Sequence, residues 1–451
     1  MGKELGSPIT SCPETPLDEK KKDKQPVKLR VSVFFDGTGN NKYNTDERVL
    51  HDKKHPFIPK LFTGSYENDY SNVARLHDCL SKINEEFDIN KKIYIEGIGT
   101  RTKGYDSILG SALGTGSTGI INRNGTLGNG KVNAGLVELL DAVKTKVDKD
   151  NETITVLRID VFGFSRGAAA ARTFIHFSMI DAEHKIKTKL QSEGFSVSNV
   201  EVYFSGLFDT VASFGFNHKD DTGDLHLDAI SNSVNVLHLV AKDEHRKNFP
   251  LTNIKSKGSK EIFLPGVHSD VGGCYPDNME EESLVLMELT NPEIYNDGSG
   301  SSVPYYVNEL IRANEQKLMA EKNRLEMEGW YREGELTISN NFQLIANRKN
   351  IRNTYSFIPL AIMKKYSKDK GLKYDIDIDL KQAISPKEIE LNQLMSLITL
   401  SGEGNYESNM GLMKIIRQNY FHSSAHYNSV GMAPNCKKDD KLLKEREVYD
   451  G

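Results

Sequence analysis

The sequence predicts an α/β chain built on an open, mostly parallel sheet with helices on both faces, followed by a helical accessory region. Three observations carry this expectation. Strand and helix signals alternate from residue 29 onward; a buried strand runs directly into a Gly-x-Ser-x-Gly turn and an alanine-rich helix; and Asp36, Ser165, Asp209 and His268 all fall just after predicted strands. Ligands of such sheets sit at the carboxyl ends of the strands.

Residues 1–28 carry Pro8, Pro13, Pro16 and Pro26 and the charged run Asp18 to Lys24. That composition buries too little apolar surface to offset the entropy of ordering, so it reads as a flexible leader. It also lacks the apolar run of a secretory signal, and no Sec export is expected. Runs rich in Val, Ile and Phe predict strands at 29–35, 92–97, 153–162, 200–206, 234–240 and 260–265, with helices at 71–86 and 166–190. The glycine-rich stretch 97–130 reads as a long, mobile loop over the site. Within it, Gly114 to Gly119 has dinucleotide-loop spacing but follows no convincing strand. Gly125 to Lys131 has a phosphate-loop skeleton with Val132 where a magnesium-binding hydroxyl is required. Neither supports nucleotide binding. The first domain is therefore expected at 29–280. Residues 281–430 read as the accessory or cap region: Val307, Leu310, Ile311 and Leu318 share one face of a helix over 304–328, and Ser385 to Glu388 forms a capping box with Pro386 at the first helical position. Residues 431–451 read as a charged tail.

Lys plus Arg number 58 against 63 Asp plus Glu, a net charge of −5, which gives no reason to expect a nucleic-acid partner. No run approaches the ~18 apolar residues of a spanning helix, so no transmembrane segment is expected. Cys12, Cys79, Cys274 and Cys436 are far apart, which argues against a disulfide framework or a zinc site.

The chemistry centres on Gly163-Phe164-Ser165-Arg166-Gly167. Between a buried strand and a helix this pattern holds a serine on a sharp corner, where only glycine leaves room for the neighbouring backbone. A serine hydroxyl needs an imidazole to take its proton and a carboxylate to orient that imidazole. Asp209, at the end of the next strand, is the expected acid; His268, in the glycine-flanked loop Gly266 to Gly273, is the expected base. Asp270 is the reserve acid and His422 the reserve base. The turn after the first strand, Asp36-Gly37-Thr38, offers backbone N–H groups: with the N–H of Arg166, Gly37 or Thr38 is a candidate oxyanion donor. The competing reading of the same turn is a cation site made of Asp36, Asn40 and Asp270 oxygens. No metal and no cofactor is required by the serine chemistry.

Six blocks in this order, Phe34 to Asn41, Ser71 to Leu76, Gly97 to Thr100, Gly163 to Gly167, Gly206 to Val211 and Gly266 to Gly273, resemble the α/β-hydrolase catalytic domain of the first family of bacterial type VI secretion lipase effectors. The resemblance covers roughly 29–280, with weaker echoes at Ser356 to Leu360 and Phe421 to Ser423. It implies a phospholipase A with a Ser-Asp-His triad, acting on phospholipid at a membrane surface. Such proteins are made in the bacterial cytoplasm and delivered without a signal peptide to the periplasm of a rival cell, with a secretion spike protein and a cognate immunity protein as partners. The alternatives are a cytoplasmic esterase or thioesterase of the same fold, and a non-catalytic binding module of a secretion apparatus.

Overall fold

The computed structural model describes residues 24–54, 64–107, 114, 118–122, 126–212, 222–254, 259–287, 304–401, 406–429, 431–437 and 440–451. Most of the expected leader lies outside these residues. Its last part, however, is already strand: β1 spans Gln25–Phe35.

The central sheet has six strands: β1, β2 (Ile89–Ile95), β3 (Glu152–Phe164), β4 (Ser196–Phe208), β5 (Ser233–Ala241) and, after the two-residue β6 (Leu251–Thr252), β7 (Ser259–Leu264). The order is β2-β1-β3-β4-β5-β7 and every neighbouring pair is parallel. The mostly parallel α/β architecture expected from the sequence is therefore present. Parallel strands covered on both faces read as near-continuous apolar runs, which is why the inner strands were legible; the edge strands β2 and β7 are more polar and showed only through short runs, Ile93 to Ile95 and Ile262 to Leu264.

Alternation along β3 assigns the two faces. Leu157, Ile159 and Val161 enter one core together with Leu29, Val31, Val33 and Phe35 of β1. This core is closed by α3 (Lys131–Lys144) and α4 (Arg166–Met179). Phe162 and Phe164 enter the other, with Phe34, Phe204 and Phe208. Three helices from the C-terminal half, α8 (Phe357–Lys368) and, beyond the short α9 (Ile376–Lys381), α10 (Ile389–Ser401) and α11 (Met410–Tyr420), cover this second face through Ile358, Leu394 and Ile416, beside Val73 and Leu76 of the helix at 72–79. The expected boundary at 280 thus runs through one shared core. Deeper in this face, Arg30 pairs with Asp160 at 2.7 Å and donates to the carbonyls of Lys370 and Gly371, fastening the C-terminal half to the sheet.

The accessory region is helical as expected but also contains an antiparallel sheet, β8 (Met279–Met287), β10 (Gln343–Ile351) and β9 (Leu336–Ile338), in that order. It packs on α7 (Pro304–Met327) through Val285, Leu318, Leu325 and Leu344. The side chains of Val307, Leu310 and Ile311 lie outside the described residues. Only half of the box at Ser385 forms: Glu388 accepts the Ser385 N–H, but Ser385 Oγ accepts from Lys387 rather than Glu388, and α10 begins only at Ile389.

Three other helices depart from expectation for local reasons. The 166–190 helix is two, α4 and α5 (Ile186–Ser192), because the Asp181 carboxylate accepts the N–H groups of Glu183 and His184 and closes a turn between them. Helix α2 (Asn72–Cys79) stops early, at an extended Leu80, where the Lys92 ammonium takes the carbonyls of His77, Asp78 and Leu80. Helix α1 (Lys42–Lys54) was not expected at all, its polar sequence giving no apolar stripe. The described parts of 97–130 are anchored rather than loose: Gly97 and Gly99 donate to Asn40 and Thr118, and Ile120 and Ile121 are fully buried. Among the described residues, no helix is long and apolar enough to cross a membrane.

Candidate active site

Ser165 stands between the end of β3 and the start of α4 with φ 59° and ψ −129°, a conformation that side chains other than glycine rarely adopt. The flanking glycines make the corner possible. A Cβ on Gly167 would lie 2.3 Å from the Asp36 carbonyl oxygen, and one on Gly163 would lie 2.5 Å from the Ala168 Cα. Alanines 168–171 are all fully buried, so α4 lies close against the sheet.

The next turn holds Asp209, also at positive φ (43°). The Ser165 N–H donates to the Phe208 carbonyl at 3.0 Å and the Val211 N–H to the Ser165 carbonyl, so the two turns are tied. Asp209 is fully buried and its Oδ2 lies 2.5 Å from His268 Nδ1. His268 opens the short helix α6 (His268–Gly272); its ring lies 4.6 Å from that of Phe164, the residue before the serine, and is met edge-on by Phe249 at 5.1 Å. Asp209 and His268 are therefore joined at the carboxyl ends of β4 and β7, and Ser165 stands at the end of β3, tied to the Asp209 turn through its backbone; among the described residues no hydrogen bond joins Ser165 Oγ to His268.

Burial alone would raise the Asp209 carboxyl, but the Arg446 guanidinium and the His268 hydrogen bond hold it well below the usual carboxylate range. Arg446 reaches it bidentately, Nη1 to Oδ1 at 2.7 Å and Nη2 to Oδ2 at 2.9 Å, and the N–H of Ala241 completes the cage. Arg446 comes from the expected charged tail. That segment is folded: Val448–Tyr449 pairs in parallel with β6, and Arg446 also donates to the Phe249 carbonyl. A second buried pair, Glu244 with Arg246 at 2.9 Å, supports His268, since Glu244 accepts the His268 N–H and Arg246 lies 3.3 Å over the Phe249 ring. Sequence reasoning missed Arg446, Glu244 and Arg246. Glu244 follows the end of β5 and was findable by the rule that located Asp209; a lone arginine among charges 237 positions from its partner carried no signal.

Burial also pushes the His268 imidazole below its ordinary 6.5, only partly offset by Asp209. A general base must be neutral, so with His268 in that proposed role activity is expected above the folded value and lost as pH falls through it. The acid limb of kcat/KM against pH, measured on a soluble ester, is expected below pH 6.5; a limb above pH 7 would show that another group titrates.

The reserve pair belongs elsewhere. Asp270 Oδ1 lies 2.7 Å from His422 Nδ1, and the His422 ring stacks on Tyr275 at 3.9 Å. These two are thus partners of one another rather than of Asp209 or His268. Of the oxyanion candidates, Gly37 is corrected: its N–H donates to its neighbour Asp36 at 2.7 Å. No partner of the Thr38 N–H is found among the described residues. The Thr38 hydroxyl accepts from Arg166 Nε at 2.9 Å, joining the first turn to the elbow. Arg166 is the first residue of α4, at the positive end of the helix dipole.

The cation reading of Asp36, Asn40 and Asp270 is not assembled. Asp36 binds Gly37 and Tyr94, with its own carboxyl raised to about 6 by burial, while Asn40 Oδ1 accepts from Asn68 and Asp270 holds His422. Among the described residues, no group of three His, Cys, Asp or Glu is placed to hold a metal ion. Two cavities, of about 480 and 280 Å3, open elsewhere; neither has Ser165, Asp209 or His268 in its wall.

Residues 177–291 match the family model described as "T6SS, Phospholipase effector Tle1-like, catalytic domain", a segment that includes Asp209 and His268 and begins just after Ser165. No protein with curated annotation matches the chain. Among solved structures, the Tle1 effector bound to the VgrG spike of the type 6 secretion system is similar at 20% identity and a TM-score of 0.60, over 96% of this chain and 95% of that one. An uncharacterized protein from Pseudomonas aeruginosa is similar at 18% identity and a TM-score of 0.45, over 86% of this chain and 52% of the other, too distant a likeness to carry an argument. The chain thus has the fold of a Tle1 effector, and its segment 177–291 resembles the catalytic domain of the Tle1-like phospholipase effectors of type VI secretion.

Proposed function

We propose that this protein is a serine phospholipase of the A type. The observation that carries the proposal is a serine on a strained strand-to-helix turn, one residue from the ring that packs on a buried, hydrogen-bonded Asp–His pair. Ser165 Oγ attacks the acyl carbonyl carbon of a glycerophospholipid while His268 Nε2 takes its proton. Asp209 holds the imidazole through Nδ1–H and stabilises the imidazolium. The tetrahedral oxyanion is held by the N–H groups of Arg166 and Thr38, each donor being worth ~3–4 kcal/mol in comparable sites. Collapse expels the lysophospholipid oxygen, which His268 protonates, and water activated by the same imidazole releases the fatty acid. No residue of this sequence calls for a cofactor.

The likeness to a spike-bound effector supports delivery by type VI secretion on a spike protein, with the periplasm of a target cell as the site of action and an immunity protein in the producer. Fused to a Sec signal, the wild-type protein is expected to arrest or lyse a test bacterium, whereas the unfused protein is much less harmful and Ser165→Ala removes the difference. Equal harmlessness in both compartments, with purified protein still cleaving soluble esters, would favour a cytoplasmic esterase instead.

A further inference from the structure

We propose that the 280 Å3 cavity beside the His268 turn is a binding site for a phosphate group, carried either by a phospholipid headgroup or by a free phosphate compound. Val267 forms part of its wall, next to the proposed base, but the site is separate from the catalytic residues.

Two of its lining side chains bring buried polar atoms that nothing satisfies. His422 is 2% exposed and Ser424 5%, and neither His422 Nε2 nor Ser424 Oγ has a hydrogen-bond partner. Buried polar atoms are almost always hydrogen-bonded, and an exception needs an explanation. The His422 ring cannot turn away from the problem. Its Nδ1 is held by Asp270, its backbone N–H also donates to Asp270, and its face is stacked on Tyr275. Nε2 is therefore fixed as the atom left for the cavity.

The wall also carries cationic side chains. Arg324, Arg348 and Lys444 line it with His245 and His422, against the single acid Asp243; Arg324 is paired with Glu321 and Glu328, and burial pushes the His245 imidazole down to about 4, toward the neutral form. Arg348 spends Nη1 and Nη2 on the carbonyls of Phe421, Arg417 and Gln418, while its Nε has no hydrogen bond. The carboxylates near it are Glu281, 3.5 Å from Nη1, and Glu335, 3.9 Å from Nε. Asp243 already accepts the Gly266 N–H, and burial pushes its carboxyl up, toward the neutral form. Burial likewise works against the charge on Lys444. An arriving anion would compensate that charge.

The donors differ in kind: an imidazole nitrogen, a hydroxyl, a guanidinium N–H and an ammonium. A tetrahedral group with several charged oxygens can satisfy more of them at once than a carboxylate with two.

Calorimetric titration of the full chain with inorganic phosphate, against chloride at matched ionic strength, tests the proposal. Saturable binding with Kd below about 1 mM is expected, weakened at least about tenfold in both Lys444→Met and Ser424→Ala, each checked for native circular dichroism. No binding beyond the chloride control, or equal binding in all three proteins, would overturn it. Two further arms identify the source. If deacylated phosphatidylglycerol binds and competes with vesicle hydrolysis, the ligand is a lipid headgroup; if phosphate binds without competing, it is a free phosphate compound. Because binding is read without turnover, phosphate binding by a protein with no lipase activity would sink the catalytic proposal and leave this one standing.

Discussion

Replacing Ser165 by alanine is expected to lower turnover of phospholipid by about a millionfold, as in other serine hydrolases whose nucleophile is removed. The change deletes one oxygen and keeps the turn: the Ser165 N–H bond to Phe208 and the glycine contacts around it are all made by backbone. The thermal midpoint should therefore hold, since alanine at φ 59° keeps the same backbone strain as the serine it replaces. His268→Ala should lose a comparable amount, and the double variant should be no worse than either single one, because members of a triad act as a unit. Retention of more than about a hundredth of wild-type turnover by Ser165→Ala would rule out the assignment.

The second large effect concerns the acid. Asp209→Asn is expected to reduce turnover by about four orders of magnitude, since an amide at this position favours the wrong imidazole tautomer. It should also destabilise the protein, because it leaves the Arg446 guanidinium, only 8% exposed, facing a neutral group in place of a bidentate carboxylate. Breaking a buried pair from one side typically costs about 3–5 kcal/mol. Arg446→Met should show the reverse balance, with a stability loss alongside a much smaller drop in turnover, since the His268–Asp209 bond survives it. Asp270→Asn, whose partner is His422, should reduce turnover far less than Asp209→Asn. Urea unfolding and single-turnover kinetics on the four proteins separate the two quantities, and a larger turnover loss in Asp270→Asn would move the acid role to that residue.

The central sheet and the serine turn were legible because buried parallel strands and tight strand-to-helix corners each demand particular residues locally. Val, Ile and Phe runs mark β1, β3 and β4, and Gly163 and Gly167 are forced by backbone atoms closer than 3 Å to where a Cβ would lie. Helix α3 was legible in principle: Val132, Leu136, Leu139 and Val143 repeat at helical spacing and are all buried. The antiparallel strands at 279–287 and 343–351 were hidden by their charges, Glu280, Glu281 and Glu282 facing Lys349, Arg348 and Asn347 across the pair, so that no apolar alternation stood out. What stayed illegible was long-range pairing. Asp270 and His422 could be named as chemically capable groups, but only the fold shows that they bind each other, and Arg446 reaches Asp209 from a segment whose composition reads as solvated tail.

The central claim is that this chain cleaves acyl esters of phospholipids through Ser165, and mass spectrometry of mixed-acyl phospholipid vesicles exposed to the purified wild-type protein and to Ser165→Ala tests it most directly. Free fatty acid and lysophospholipid appearing together with the wild type, and at background with the variant, is the result expected. Intact lipid with both proteins, or the same products at the same rate from the variant, would contradict it.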